Sequence, residues 1–210
     1  MTTVSDPSQA DQVVPSSSER IRDAALANFA VHGTASTSLR AVAATAGVSL
    51  GMVQHHFATK SSLIKAVDDY VLSLLIGAMS QPIPDPPADS ITDIGSRVSG
   101  LIAEHVEVAA YVSRAMVDGS PLGATLFDGL MDVGMARWKL RVERGEVASD
   151  VDLTWATINA LVLAVGAISL RAHVDRHLPE PFTSPNQLRR WQEATDTLLR
   201  DGLLSPPDDD

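Results

Sequence analysis

Residues 37–60 read TSLRAVAATAGVSLGMVQHHFATK, and their side chains suit contact with a nucleic acid better than a covalent reaction. Ser49, Leu50, Gly51, Met52, Gln54, His55 and His56 fall together at the start of one short helical stretch. Short or polar side chains at a helix N-terminus can reach base edges in a major groove, and a glycine lets the backbone come close. Thr37 and Ser38 stand at another helix start, where free backbone amides favour an anion such as a phosphate. Arg40 and Lys60 add point charges nearby. Each has a plainer reading as well: the hydroxyls cap helices, and His56 packs or caps. The adjacent histidines do not make a metal site. Neighbours at i and i+1 on a helix face different ways, and neither cysteine nor a nearby carboxylate completes a ligand set.

The elements that must hold these residues are legible in the spacing. Ala43 is a small residue of the kind that packs where two helices cross, Gly47 follows four positions later as a tight turn, and Val53 plugs the second helix six further on. That is the spacing of a helix–turn–helix, with Ser49 capping the second helix. Upstream, Ser16 and Glu19 form a capping box. It opens a helix that runs to about His32, with Ile21, Ala25, Phe29 and Ala30 inward and Gly33 as its stop. Downstream, Thr59 caps a long helix with Leu63, Ile64, Val67, Val71, Leu72 and Leu75 apolar.

The net charge of −10 over 210 residues argues at first against a nucleic-acid binder. Its distribution reverses the argument. Residues 19–65 hold five basic side chains against two acidic ones, so the acidity lies almost wholly in the remainder. A mildly basic head can meet phosphates while an acidic body avoids them. Hydrophobic residues make up 45% and aromatic ones 4%, which suits a core of close-packed Ala, Val, Leu and Ile. Without cysteine there is no disulfide, thiolate metal site or cysteine nucleophile, as fits a reducing cytoplasm. The first 18 residues lack a basic-then-apolar leader and read as a disordered tail. Residues 153–170 carry no charge over 18 positions, the lower limit for a membrane span. Their Thr154, Thr157, Asn159 and Ser169 and the acidic N-terminal flank favour a helix buried between partners.

The body reads as helices throughout, with no strand pattern. Residues 81–89 hold four prolines and form a linker. Ser90 and Asp93 then start a helix whose stripe runs through His105 and Val112 to Ala115. Ser120 and Pro121 open another, carrying Leu122, Leu126, Leu130, Met131, Met135, Trp138 and Val142 inward. The uncharged helix follows, and a last one starts near Ser184 and bears Leu188, Trp191, Thr195, Leu198 and Leu199. In all, eight or nine helices are expected. His105, Tyr111, Met116, Phe127, Met131, Met135, Trp138, Trp155 and Asn159 are candidates to line a ligand pocket, against ordinary core packing for each. Ala156, Ala160, Ala164 and Ala167 form a small-residue ridge that permits close helix approach. With Leu188, Trp191, Leu198 and Leu199 it makes a candidate dimer interface, against packing within one chain.

Phe29 and Gly33, Thr37–Ser38, the AVAATAGVS of residues 41–49, Gly51, the HHF of residues 55–57, Lys60 and Leu63 together resemble the TetR family of transcriptional regulators. The resemblance covers about residues 19–66. It implies an all-α homodimer: a three-helix DNA-binding head with a helix–turn–helix, plus a larger C-terminal helical domain that binds a small ligand and dimerises through its last two long helices. The domains would then be 19–66 and 67–204, with a disordered tail over 205–210. The family commonly has tyrosine where this chain has Gln54, associated there with a phosphate contact; Gln54 can donate to a phosphate or read adenine.

These readings converge on a ligand-responsive, cytoplasmic repressor that binds double-stranded DNA at a palindromic operator and is released by a small, mostly apolar effector. The alternative is a constitutive DNA-binding or assembly module with a filled core. No cofactor and no membrane partner are expected. Scattered carboxylates, and the lack of a nucleophile elbow or a Gly-rich phosphate loop, give no basis for an enzyme.

Overall fold

The computed structural model describes residues 15–79, 81–82, 90–148 and 150–203. Among these the chain forms ten α-helices and one 3-10 turn, with no β-strand. The linker over 83–89 and both terminal tails, all but residues 15–18, lie outside the described residues.

The head is set by local signals. Helix α1, Ser17–Ser36, starts at the expected capping box: Ser16 Oγ accepts from the Glu19 amide at 3.2 Å and Glu19 Oε2 accepts from the Ser16 amide at 2.7 Å. Gly33 takes a φ of +79°, so the regular helix ends there and one further turn follows. Helices α2, Leu39–Ala46, and α3, Leu50–His56, are capped by Ser38 and Ser49, whose hydroxyls each accept an amide at 3.1 Å. Gly47 makes the turn between them at φ +65°. Val42, Ala43 and Val53 are buried beneath Phe29 and Ile21 in one cluster. Helix α4, Lys60–Met79, contributes Leu63, Val67 and Val71 to that cluster and carries Leu75 and Met79 on into the body.

The body departs from the expected element list at two places. The helix predicted to run unbroken through His105 divides there into α5, Ser90–Glu104, and α6, Val106–Val117; His105 lies at φ −136°, ψ 60° and precedes α6 without a side-chain cap. The uncharged segment forms α8, Leu153–Ser169, and then bends into the short α9, Arg171–Val174. No single described helix is long and apolar enough to cross a membrane; only α8 and the segment to His177 pass as a pair, bent by 65°. Between them α7, Pro121–Glu143, is opened by Ser120 and Pro121 as expected. It crosses α6 at Gly123, where any Cβ would run into the Ala115 carbonyl. The last helix, α10, Pro185–Leu203, packs along α5.

Helix α6 joins the two halves. Val108, Tyr111 and Ala115 belong to the same buried cluster as Phe29 and Leu63, so head and body share a core rather than meeting through α4 alone. The Tyr111 ring lies 6.2 Å from that of Phe29, and its hydroxyl donates to Asp68 on α4 at 2.7 Å. Arg114 donates to the Val31 carbonyl at 3.2 Å and lies against Gly33.

Candidate nucleic-acid interface and ligand cavity

The cap geometry of α3 presents one face outward. Val53 is buried, while Ser49, Gly51, Met52, Gln54, His55 and His56 are exposed; Leu50 is half-buried. The two imidazole rings meet edge-on at 5.3 Å, and His56 also leans on Phe57. Ser38 and Arg40 are exposed beside this face. Lys60 is tied by its ammonium to the Ala35 carbonyl at 2.9 Å, which brings the two ends of the helix–turn–helix together. Thr37 requires a correction. Its side chain turns inward, 4% exposed, and its hydroxyl donates to the Gly33 carbonyl at 2.9 Å, closing the bend after α1. The cap of α2 is Ser38 alone, so Thr37 offers no hydroxyl to a phosphate.

The body holds a half-open cavity of about 220 Å³. Its wall is almost wholly apolar and comes from α4 to α8 and α10, including Leu75, Met79, Ile91, Val112, Leu161 and Ile168. Of the pocket residues expected from sequence, Met116 and Trp138 line it. The others do not. His105 borders a separate shallow cleft with Arg97 and Glu104. Tyr111 is committed to the shared core. Phe127 and Met131 lie half-buried off the cavity, and Met135 receives the Thr157 hydroxyl at its sulfur, 3.5 Å. Asn159 is exposed, and Trp155 is 59% exposed. Helix α8 is apolar all round, so composition alone could not say which side faces in.

The same ambiguity reverses the expected dimer ridge. Ala160 and Ala164 line the cavity, Ala156 is buried against Trp138, and Ala167 packs beside Phe182. Leu188 is buried, Trp191 and Leu199 face the cavity, and only Leu198, at 64%, is exposed. The outward side of α8 instead shows Trp155, Val162 and Leu163, and Leu170 follows just past its end. Val142, expected to point inward, is exposed as well.

Sequence reasoning missed the polar part of the cavity wall. Arg137 and Arg141, one turn apart on α7, are buried yet line the cavity, together with Thr157, Gln192 and Asp196. Charged residues are seldom fully buried, so sequence alone gives no reason to place either on a cavity wall. The available signal was their spacing with Leu130, Gly134 and Trp138 along one helical stripe. Burial, and then the neighbouring Arg97, lower the pKa of Arg137, while Asp93 opposes that shift. The Arg141 guanidinium lies over the Trp138 ring at 4.7 Å. Among the described residues no group of three or more His, Asp or Glu side chains gathers as a metal site.

Residues 21–67 match the family described as bacterial regulatory proteins, tetR family. The head thus carries the TetR-family pattern, over less than half of the chain. The fold extends the likeness over nearly all of the chain. The chain is 34% identical over 113 residues to the HTH-type transcriptional regulatory protein RaaS of Mycobacterium tuberculosis, covering 54% of this chain and 51% of RaaS. It thus spans about half the length of the curated relatives it matches. Its fold resembles that of SmeT, the repressor of the SmeDEF multidrug efflux pump of Stenotrophomonas maltophilia, with a TM-score of 0.68 at 20% identity over 90% of this chain and 91% of SmeT. A TetR-family regulator from Chloroflexus aurantiacus superposes with a TM-score of 0.71 at 16% identity, over 92% and 96% of the two chains. The all-helical architecture of a small helix–turn–helix head on a larger helical body is therefore the fold of these TetR-family structures.

Proposed function

We propose that this protein is a cytoplasmic, ligand-responsive transcriptional repressor. Two copies each set α3 in the major groove of one half-site of a palindromic operator. Gln54, His55 and His56 face base edges, while Ser38, Arg40 and the start of α4 at Lys60 meet the backbone. The observation that carries the reading is the double use of α6. One face of that helix lines the cavity through Ala109, Val112, Ser113 and Met116, and the other holds the head through Tyr111 and Arg114. A small, mostly apolar molecule that fits the cavity in only one arrangement of α6 shifts the heads away from the operator spacing, because ligands act through differential affinity for two states. The cavity also speaks against a constitutive module with a filled core. The copies pair through the outward faces of α8 and α10, where Trp155, Val162, Leu163 and Leu198 leave apolar surface bare.

Footprinting on the DNA flanking its own gene, at modest salt, is expected to show a symmetric protected site. Compounds that raise the melting temperature are expected to release it. Absence of any protected site sinks the DNA-binding reading; protection that no stabilising compound relieves sinks the ligand response.

A further inference from the structure

Resting on the ligand-binding reading above, we infer that the effector is an amphiphile with one anionic group, which Arg137 receives at the wall of an otherwise apolar cavity. Arg137 is 6% exposed, lines the cavity, and its Nη1 makes no hydrogen bond among the described residues. Its ion pair with Asp93 is loose, Nη1 to Oδ2 at 3.7 Å. Asp93 is already taken by Arg97, which reaches one carboxylate oxygen at 2.8 Å and the other at 2.9 Å. One carboxylate thus serves two guanidinium groups.

Arg97 and Arg137 thus share Asp93, and Arg97 holds it at the shorter distances. A buried cation without a full partner is costly, and a charge-assisted bond to a carboxylate offsets that cost. An apolar body suits the remaining wall. A cavity of about 220 Å³ holds on the order of ten water-sized groups, enough for a chain of about ten carbons. A purely apolar ligand would leave Arg137 as it stands, and a cationic one would meet its guanidinium with like charge.

Decanoate and decanol share a ten-carbon body and differ in charge at neutral pH, so their binding to the full chain, followed by calorimetry, tests the inference. The wild-type protein is expected to bind decanoate about tenfold or more tightly than decanol. That preference is expected to shrink to about twofold or less in Arg137→Gln and to persist in Arg137→Lys, both checked for native helicity. If Arg137→Gln does not fold, the wild-type preference and its survival in Arg137→Lys decide. Equal binding of the two probes, or an undiminished preference in a folded Arg137→Gln, overturns the anionic class and leaves the ligand-binding reading intact. If decanoate, decanol and the neutral dye Nile red all fail to bind, the ligand-binding reading falls and takes this inference with it.

Discussion

Head and body are built from the same helical material and treat their interiors in opposite ways. In the head, Ile21, Phe29, Val42, Val53, Leu63 and Val67 are sealed from solvent and close on one another around the turn at Gly47. In the body, six helices stop short of closing and leave a cavity between Trp138, Leu161 and Ile168. Close packing fixes a surface to within fractions of an ångström, which a helix that must enter a groove requires. An unfilled core forgoes dispersion contacts and leaves more than one packing within reach. The body thereby forgoes packing that the head keeps, and α6 forms part of both interiors.

The largest effect that tests this contrast is expected from Phe29→Ala. It opens a void in the sealed cluster and removes the neighbour of Tyr111, so chemical denaturation is expected to show a loss of about 3–5 kcal/mol. Leu161→Ala only widens space that is already empty, and about 1 kcal/mol is expected there. Equal losses at the two sites would end the distinction between a filled and an unfilled interior.

A functional counterpart comes next in size. Gln54→Ala removes an amide that is exposed on α3 and makes no hydrogen bond among the described residues, so the fold is expected to be untouched while operator discrimination drops by about 1–3 kcal/mol. Binding assays on the operator and on single-base variants check this: the preference at one symmetric pair of positions is expected to relax. Uniform weakening across all sequences would mark Gln54 as a backbone contact, in the place the family often gives to tyrosine.

How far each region could be read from sequence follows from the same contrast. Ser16 with Glu19, Ser38, Gly47 and Ser49 act on backbone groups within three or four residues, so type and spacing sufficed to place the head. The body is organised by which side of a helix meets another, and that is not local. Helix α8 is apolar on every side, so its alanine ridge read equally well as interface or interior. His105 continues the apolar stripe of its helix and carries no breaker, yet the chain bends there. Arg137 and Arg141 hid because a charge is ordinarily exposed; only the surrounding helices bury them.

The junction between the regions offers a pH test. Burial raises the pKa of Asp68, against the hydrogen bond from Tyr111, and burial with that same bond raises the pKa of Tyr111. A group whose folded pKa is raised gives stability that is present below its unfolded value and lost as pH rises through the folded one. Tyr111 therefore contributes a loss of stability beginning above its ordinary value of 10.0. Tyr111→Phe is expected to remove that alkaline loss and to cost about 1–3 kcal/mol at neutral pH, because Asp68 is left part-buried without its donor. An unchanged alkaline limb in melting experiments would show that the junction does not depend on this bond.

Filling the body is expected to do the reverse of emptying the head. Ala164→Leu projects into the cavity from α8, and a gain of about 1 kcal/mol is expected, with loss of any ligand-induced rise in melting temperature. If the substitution destabilises the protein instead, the wall around Ala164 is already tight and the usable space lies nearer Trp138.

The smallest effect is expected at Arg40, and it separates charge from shape in the head. Arg40 is exposed on α2, and no hydrogen bond or ion pair of its own is found among the described residues. A phosphate contact there adds counterion release rather than base discrimination. Arg40→Ala is therefore expected to lower the slope of log affinity against log salt by about one while leaving preference among operator variants as it was. Sequence preference is expected to move with Gln54 and salt dependence with Arg40. If Arg40→Ala altered preference instead, its guanidinium would be reading a base, and the exposed edge of α2 would join α3 as part of the recognition surface.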